Sequence, residues 1–178
     1  MRYAQIRDMD ISNGDGIGVS LFVQGCHFHC DGCFNKETWD FNGGYEFGDA
    51  EYHKIMELLK RPYISRISIL GGEPLSDENV SEVFSLIEDI KCNFDDLSIW
   101  LYTGYNFEDI MSHDLIKSPQ EDSAKYFRKM TALYCDVIVD GRYDKTCPAN
   151  YMNPWIGSTN QRVINVNKSI KNGKIIEY

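Results

Sequence analysis

An α/β domain built on a parallel sheet is the fold the sequence predicts, and three observations predict it. Short β-branched, glycine-bounded runs alternate with segments of helical periodicity along most of the 178 residues. Repeated strand-then-helix units imply parallel neighbours joined by right-handed crossovers. No linker, repeat or low-complexity tract interrupts the pattern, so 1–178 reads as one domain with its core at about 15–165.

Gly18 to Gly25 (GVSLFVQG) is the first expected strand. Asp49 to Arg61 then places Tyr52, Ile55, Met56 and Leu59 on one helical face. Ser65 to Leu70 is the second strand, ending at Gly71-Gly72. Ser76 is the expected N-cap of a helix bearing Val80, Val83, Phe84 and Ile87. Leu97 to Thr103 is the third strand and Asn106 to Ile116 a short helix. Ser118-Pro119-Gln120-Glu121 combines proline at the first helical position with a capping box, which starts a helix running to about Met130. Leu133 to Asp140 is the fourth strand. Beyond it the chain turns irregular through Pro148, Pro154 and GSTNQR. Asn172-Gly173 between two apolar runs predicts a type I′ turn and hence a C-terminal β-hairpin over about 163–178.

Composition narrows the class. Hydrophobic residues make up 43% and charged residues 25%, which excludes a disordered chain. The net charge of -9 argues against nucleic acid as a partner, because phosphate affinity comes from clustered lysine and arginine. No apolar run approaches the roughly 20 residues that span a bilayer. The opening MRYAQIRDMDISNGDG lacks the apolar stretch of a secretion signal. A cytoplasmic chain with no membrane partner is the expectation.

Six cysteines are unevenly placed. Cys26, Cys30 and Cys33 fall in one loop, while Cys92, Cys135 and Cys147 stand alone. Three thiolates spaced C-x3-C-x2-C can wrap one corner of a [4Fe–4S] cluster and leave the fourth iron without a protein ligand. Zinc is the other reading, with His27 or His29 as fourth ligand. Cys92 and Cys135 read as small core residues, and Cys147 as the lone cysteine open to solvent. His53 and His113 suggest no role. Ligands of a parallel sheet gather at the carboxyl ends of its strands. The cysteine trio, Gly71-Gly72-Glu73, Thr103-Gly104-Tyr105 and Asp140-Gly141 each follow a strand, so one rim carries one site.

Cys26-x3-Cys30-x2-Cys33 followed by Gly71-Gly72-Glu73-Pro74 resembles the radical S-adenosylmethionine (SAM) superfamily. NGDGI at 13–17, GCHFHCDGCFNKETW at 25–39 and GSTNQR at 157–162 narrow the resemblance to the glycyl-radical activases of anaerobic ribonucleoside-triphosphate reductases. Many superfamily members carry an aromatic residue just before the third cysteine. Here Gly32 stands there and the aromatic follows at Phe34.

The resemblance implies a partial (β/α) barrel of the radical SAM type. It implies one [4Fe–4S] cluster per chain on the catalytic trio Cys26, Cys30 and Cys33, whose open iron chelates the SAM amino and carboxylate groups. Backbone groups of Gly32, Cys33 and Phe34 would meet adenine, and Gly71, Gly72, Glu73 and Pro74 would lie along the methionine end. Thr103 and Asp140 would contact ribose, a cation or the sulfonium, or else serve as strand-end residues bonding their own backbone. Asn160, Gln161 and Arg162 would close the site or meet the partner. Trp39 and Trp155 suit core or interface. The implied protein substrate is the reductase, activated by a glycyl radical, with reduced flavodoxin or a similar donor supplying the electron. Another glycyl-radical enzyme, a small molecule or a plain zinc module are the alternative readings. The cysteine loop and the GGEP turn read as separate segments of the rim, so bulk at Gly72 is expected to weaken SAM binding and spare the cluster.

Overall fold

The strands that the sequence marks by unbroken apolar runs lie at the centre of one sheet. In a computed structural model that describes residues 1–112, 123–149 and 153–178, the elements follow in the order β1 (Arg2–Asp10), β2 (Gly18–Val23), β3 (Tyr45–Glu46), α1 (Asp49–Leu59), β4 (Arg66–Gly71), α2 (Val80–Asn93), β5 (Ser98–Tyr102), α3 (Phe107–Met111), α4 (Ser123–Tyr134), β6 (Val137–Asp140), β7 (Arg162–Asn165) and α5 (Val166–Asn172). A 3-10 turn at Lys36–Thr38 lies between β2 and β3. The sheet order is β3-β1-β2-β4-β5-β6-β7. β2, β4, β5 and β6 are parallel, with α1, α2 and the α3–α4 pair as their crossovers, whereas β1 and β7 add antiparallel flanks. No ladder joins the edge strands β3 and β7 among the described residues, so the sheet is open. No helix among those residues is long and apolar enough to cross a membrane.

The two faces of the sheet do different work. Val19, Leu21 and Val23 of β2, Ile67 and Ile69 of β4, and Ile99 and Leu101 of β5 share one cluster with Ile55 and Leu58 of α1 and Val83, Ile87 and Ile90 of α2. That face is the core. The alternate residues point to the other face, where Trp100, Val137, Val139 and Val163 form a smaller cluster with Trp155 and Ile156 packed on it. Burial on both faces is why these strands read as continuous apolar runs.

The sequence expectations need five corrections. β1 was not expected: RYAQIRDMD has too many exposed polar side chains to look like a strand, and its pairing to β2 supplies the missing order through the backbone. Ser76 does not cap α2. Asn79 occupies that position, and the buried Ser76 hydroxyl has no partner among the described residues. Leu133 and Tyr134 close α4 rather than open β6. The C-terminal hairpin is replaced by α5: Asn165 caps the helix by accepting from the Lys168 N–H at 3.0 Å, and Gly173 ends it in the left-handed region at φ 63°. Asn-Gly supplies positive φ to a helix C-terminus as readily as to a turn. The chain after α5 still returns to β7, through Asn165 N–H to Ile176 O at 2.9 Å. Lastly, Cys92 is exposed, because it lies off the α2 face formed by Val83, Ile87 and Ile90. Cys135 is fully buried as expected. The expected capping box at 118–121 and His113 lie outside the described residues.

Asp10 and Arg66 form a buried ion pair under the NGDGI loop. Arg66 Nη2 donates to the Asp10 carbonyl at 2.8 Å and to its carboxylate at 3.2 Å, and Arg66 Nη1 donates to Ser68 Oγ at 2.6 Å. Burial alone would raise the Asp10 carboxyl, but donors from Asn13, Ser12 and Arg66 outweigh it and hold the group below the ordinary carboxylate range. Removing one member of a buried pair costs about 3–5 kcal/mol, since the other charge is left uncompensated. Arg66→Met should lower the urea unfolding free energy by about that much, against a near-zero effect if the pair is incidental.

Candidate functional site

One cavity of about 400 Å³ opens at the carboxyl ends of the parallel strands. Cys26, Cys30, Cys33 and Phe34 line it after β2, Gly71, Gly72 and Glu73 after β4, Thr103 and Gly104 after β5, and Gly141, Arg142 and Tyr143 after β6. Ser12 and Asn13 of the NGDGI loop and Gly157 and Gln161 of GSTNQR reach the same space. The rim rule therefore brings most of the expected residues together. Gly32, Pro74 and Asp140 do not line the cavity.

The cysteine loop is held as a closed lobe. Gly25 N–H donates to Thr38 O at 2.8 Å, Cys26 N–H to Trp39 O at 3.0 Å and Cys33 N–H to Cys30 O at 3.1 Å. Buried Gln24 clamps the exit through its amide to the Glu37 and Asp40 carbonyls. The Cys33 thiol accepts the Asn35 N–H at 3.4 Å, and nearby backbone N–H groups of Phe28 and His29 at Cys26 and of Tyr143 at Cys30 partly oppose the effect of burial on those thiols. Burial pushes the Cys26 and Cys30 thiols above their ordinary value, a cost that bound metal would offset by deprotonating them.

All six cysteines are free. Among the described residues, no three His, Cys, Asp or Glu side chains converge as a single metal ion needs. His27 is drawn 2.9 Å from Glu78 and packs on Phe41, and His29 stacks on Trp39. Neither histidine lines the cavity, so neither stands as a fourth ligand for zinc there. A four-iron cube engages each thiolate through a different iron, and thiols spread round one wall fit it better.

Glu73 is the central carboxylate, and it is buried. Its oxygens accept from Thr103 Oγ1 at 2.8 Å, Gly104 N–H at 2.8 Å and Leu75 N–H at 2.9 Å, tying the ends of β4 and β5 together. Burial pushes its pKa up to about 7, against the pull of those donors and of Arg128. Its own N–H donates to Gly25 O at 2.7 Å. Gly72 lies beside it, where a Cβ would come within 2.9 Å of the Gly25 carbonyl carbon. The GGEP turn and the cysteine loop are thus in backbone contact, and the expectation that they are separate is wrong.

Asp140 faces away from the cavity into an ion cluster. Arg162 pairs with Asp140 and donates to both Glu108 oxygens at 2.9 and 2.7 Å, while Asp140 also accepts the Phe107 N–H at 2.8 Å. Arg142 and Tyr143 were not expected in the site. They follow Asp140-Gly141 at a strand end, so the positional rule that selected Thr103 could have found them. Trp39 and Trp155 also line the cavity, Trp155 with its ring 5.0 Å from that of Trp100.

A family model described as a 4Fe-4S single cluster domain matches residues 12–164. The anaerobic ribonucleoside-triphosphate reductase-activating protein of Enterobacteria phage T4 is 36% identical over 163 residues, covering 92% of this chain and 93% of that protein. This chain belongs to that family. Its counterparts from Vibrio cholerae and Pasteurella multocida are 34% and 32% identical, each over 90% of this chain and over 96% and 95% of their own length. The family match places a 4Fe-4S domain over every cavity-lining cysteine.

Two outcomes follow from this geometry. Gly72→Val should displace Gly25 and lower the iron bound per chain after anaerobic reconstitution, measured beside the wild type. Glu73 makes stability fall as pH rises from its ordinary 4.5 to about 7, because the folded chain holds the extra proton across that window. Glu73→Gln should flatten that slope in urea unfolding at pH 5 and pH 7, and lose about 1–3 kcal/mol at pH 5 from the donor it leaves unpaired.

Proposed function

We propose that the chain activates an anaerobic ribonucleoside-triphosphate reductase as a radical SAM enzyme, on a sheet that is the partial (β/α) barrel of that superfamily. The observation that carries the reading is that the cysteine trio and the Gly71-Gly72-Glu73 turn line one cavity at the carboxyl rim. When bound, a [4Fe–4S] cluster would supply one electron to the sulfonium of SAM, breaking the S–C5′ bond to methionine and a 5′-deoxyadenosyl radical that takes a hydrogen atom from a glycine Cα of the reductase and leaves a glycyl radical.

The residues of the chain bind, orient and shield. Cys26, Cys30 and Cys33 would hold the cluster through three thiolates, leaving it a position at which SAM could bind. Gly71 and Gly72 let the backbone approach the methionine end, where carbonyls accept from the ammonium. Backbone groups of Cys33 and Phe34 face the adenine, and Thr103 the ribose. Gly32, Pro74 and Asp140 act one layer back: Gly32 turns the loop at φ 79°, and Asp140 anchors Arg162. Thr103 is itself placed by Glu73.

The relatives' name makes a protein the substrate, and the exposed Phe34 at the cavity mouth suits a protein surface. Six free thiols suit a reducing cytoplasm, with reduced flavodoxin or a similar donor supplying the electron. The net charge of -9 makes nucleic acid an unsuitable partner.

Cys26→Ala, Cys30→Ala and Cys33→Ala should each abolish the brown four-iron absorption and the glycyl radical signal seen by electron paramagnetic resonance with SAM, reductant and reductase. Cys92→Ala, at an exposed position outside the cavity, should retain both. Survival of the absorption in any of the first three would refute the ligand set.

A further inference from the structure

After β6 the chain passes as a short strap against the cysteine loop. The Tyr143 main-chain N–H lies beside the Cys30 thiol in the same cavity, where it opposes the effect of burial on that thiol, and the Tyr143 ring meets Phe34 edge-on at 5.0 Å. Lys145 pairs with Asp31, and a Cβ built on Gly32 would lie 3.3 Å from both Tyr143 and Lys145. Arg142 sits 4.2 Å over the Phe28 ring and lines the cavity. No carboxylate pairs with Arg142 among the described residues, whereas Arg7, the other arginine lining the cavity, lies 3.4 Å from Asp10.

The GSTNQR segment builds this strap. Gln161 Nε2 donates to Gly141 O at 2.8 Å, and Gln161 Oε1 accepts from Gly157 and Ser158 N–H at 2.8 and 3.2 Å. Asn160 Nδ2 donates to Arg142 O at 2.8 Å, and Ser158 Oγ accepts from the Asp144 N–H at 3.1 Å. Three of the four residues 141–144, Gly141, Arg142 and Asp144, are thus held by three polar side chains, which brackets Tyr143 between them.

We infer that this strap sets the reduction potential of the cluster, with the Tyr143 N–H and the Arg142 charge as its active groups and Gln161 as its positioning residue. The inference rests on the three-cysteine reading above. Adding one electron makes the cluster and its thiolates one charge more negative. An N–H beside a ligand sulfur and a cation facing the same cavity both stabilise that reduced form more than the oxidised one, and so raise the potential. That no carboxylate among the described residues pairs with Arg142 matters here, since such a partner would cancel its field at the cluster.

The test is a reductive titration of the reconstituted full chain without SAM or reductase, followed by electron paramagnetic resonance. Arg142 is exposed, so its replacement leaves the core intact. Arg142→Met should leave about tenfold less reduced relative to oxidised cluster at a fixed poise, which is about 59 mV for a one-electron couple. Arg142→Lys, which keeps the charge, should restore most of it. Gln161→Ala should shift the potential in the same direction by freeing the strap, at unchanged iron content. A wild-type chain with its cluster loaded and an unchanged potential in either Arg142→Met or Gln161→Ala overturns the inference alone. A wild type that takes up no reducible four-iron cluster overturns both the inference and the reading beneath it.

Discussion

The site depends on one backbone contact, the approach of Gly72 to Gly25. Neither residue carries a Cβ, so the chain leaving β4 can touch the chain entering the cysteine loop. That proximity lets the Glu73 N–H reach the Gly25 carbonyl at 2.7 Å and sends the Glu73 side chain toward the end of β5. A buried carboxylate is costly unless its oxygens are satisfied. Thr103, Gly104 and Leu75 satisfy them, and in doing so fix the relative positions of three rim segments. Asn79, capping α2, closes the same knot by donating to the Gln24 and Glu73 carbonyls.

The sheet separates stability from chemistry by face. Helices bury the side bearing Leu21, Ile67, Ile99 and Ile138, while the opposite side carries the cavity above Phe22, Leu70 and Tyr102. Beside it, at the opposite ends of the same strands, Asp10, Arg66 and Ser68 lock the NGDGI loop across the sheet.

The side of the cavity opposite the GGEP turn is built last in the chain. β7 returns antiparallel to β6, and its first residue, Arg162, pairs with Asp140 and Glu108. With that edge anchored, Ser158, Asn160 and Gln161 shape residues 141–144 against the cysteine loop. The two walls differ in kind: one is held by a single buried carboxylate, the other by amide and hydroxyl groups bonded to main chain.

By itself the sequence determined whatever depends on near neighbours. The cysteine spacing, the GGEP turn and the apolar runs of β2, β4 and β5 are local patterns, and the carboxyl-end rule placed their ends on one rim. Only the tertiary structure decided what depends on distant partners. β1 is a strand because β2 offers it an edge, not because of its side chains. Asn172-Gly173 ends a helix because Val166 and Ser169 find burial as one; its local signal serves turn and cap alike. Asp140 turned out to hold Arg162, 22 residues away, and Arg142 and Tyr143 came to line one cavity with cysteines more than 100 residues away along the chain. A local pattern states what a segment can form, and burial by remote residues selects which of those forms is kept.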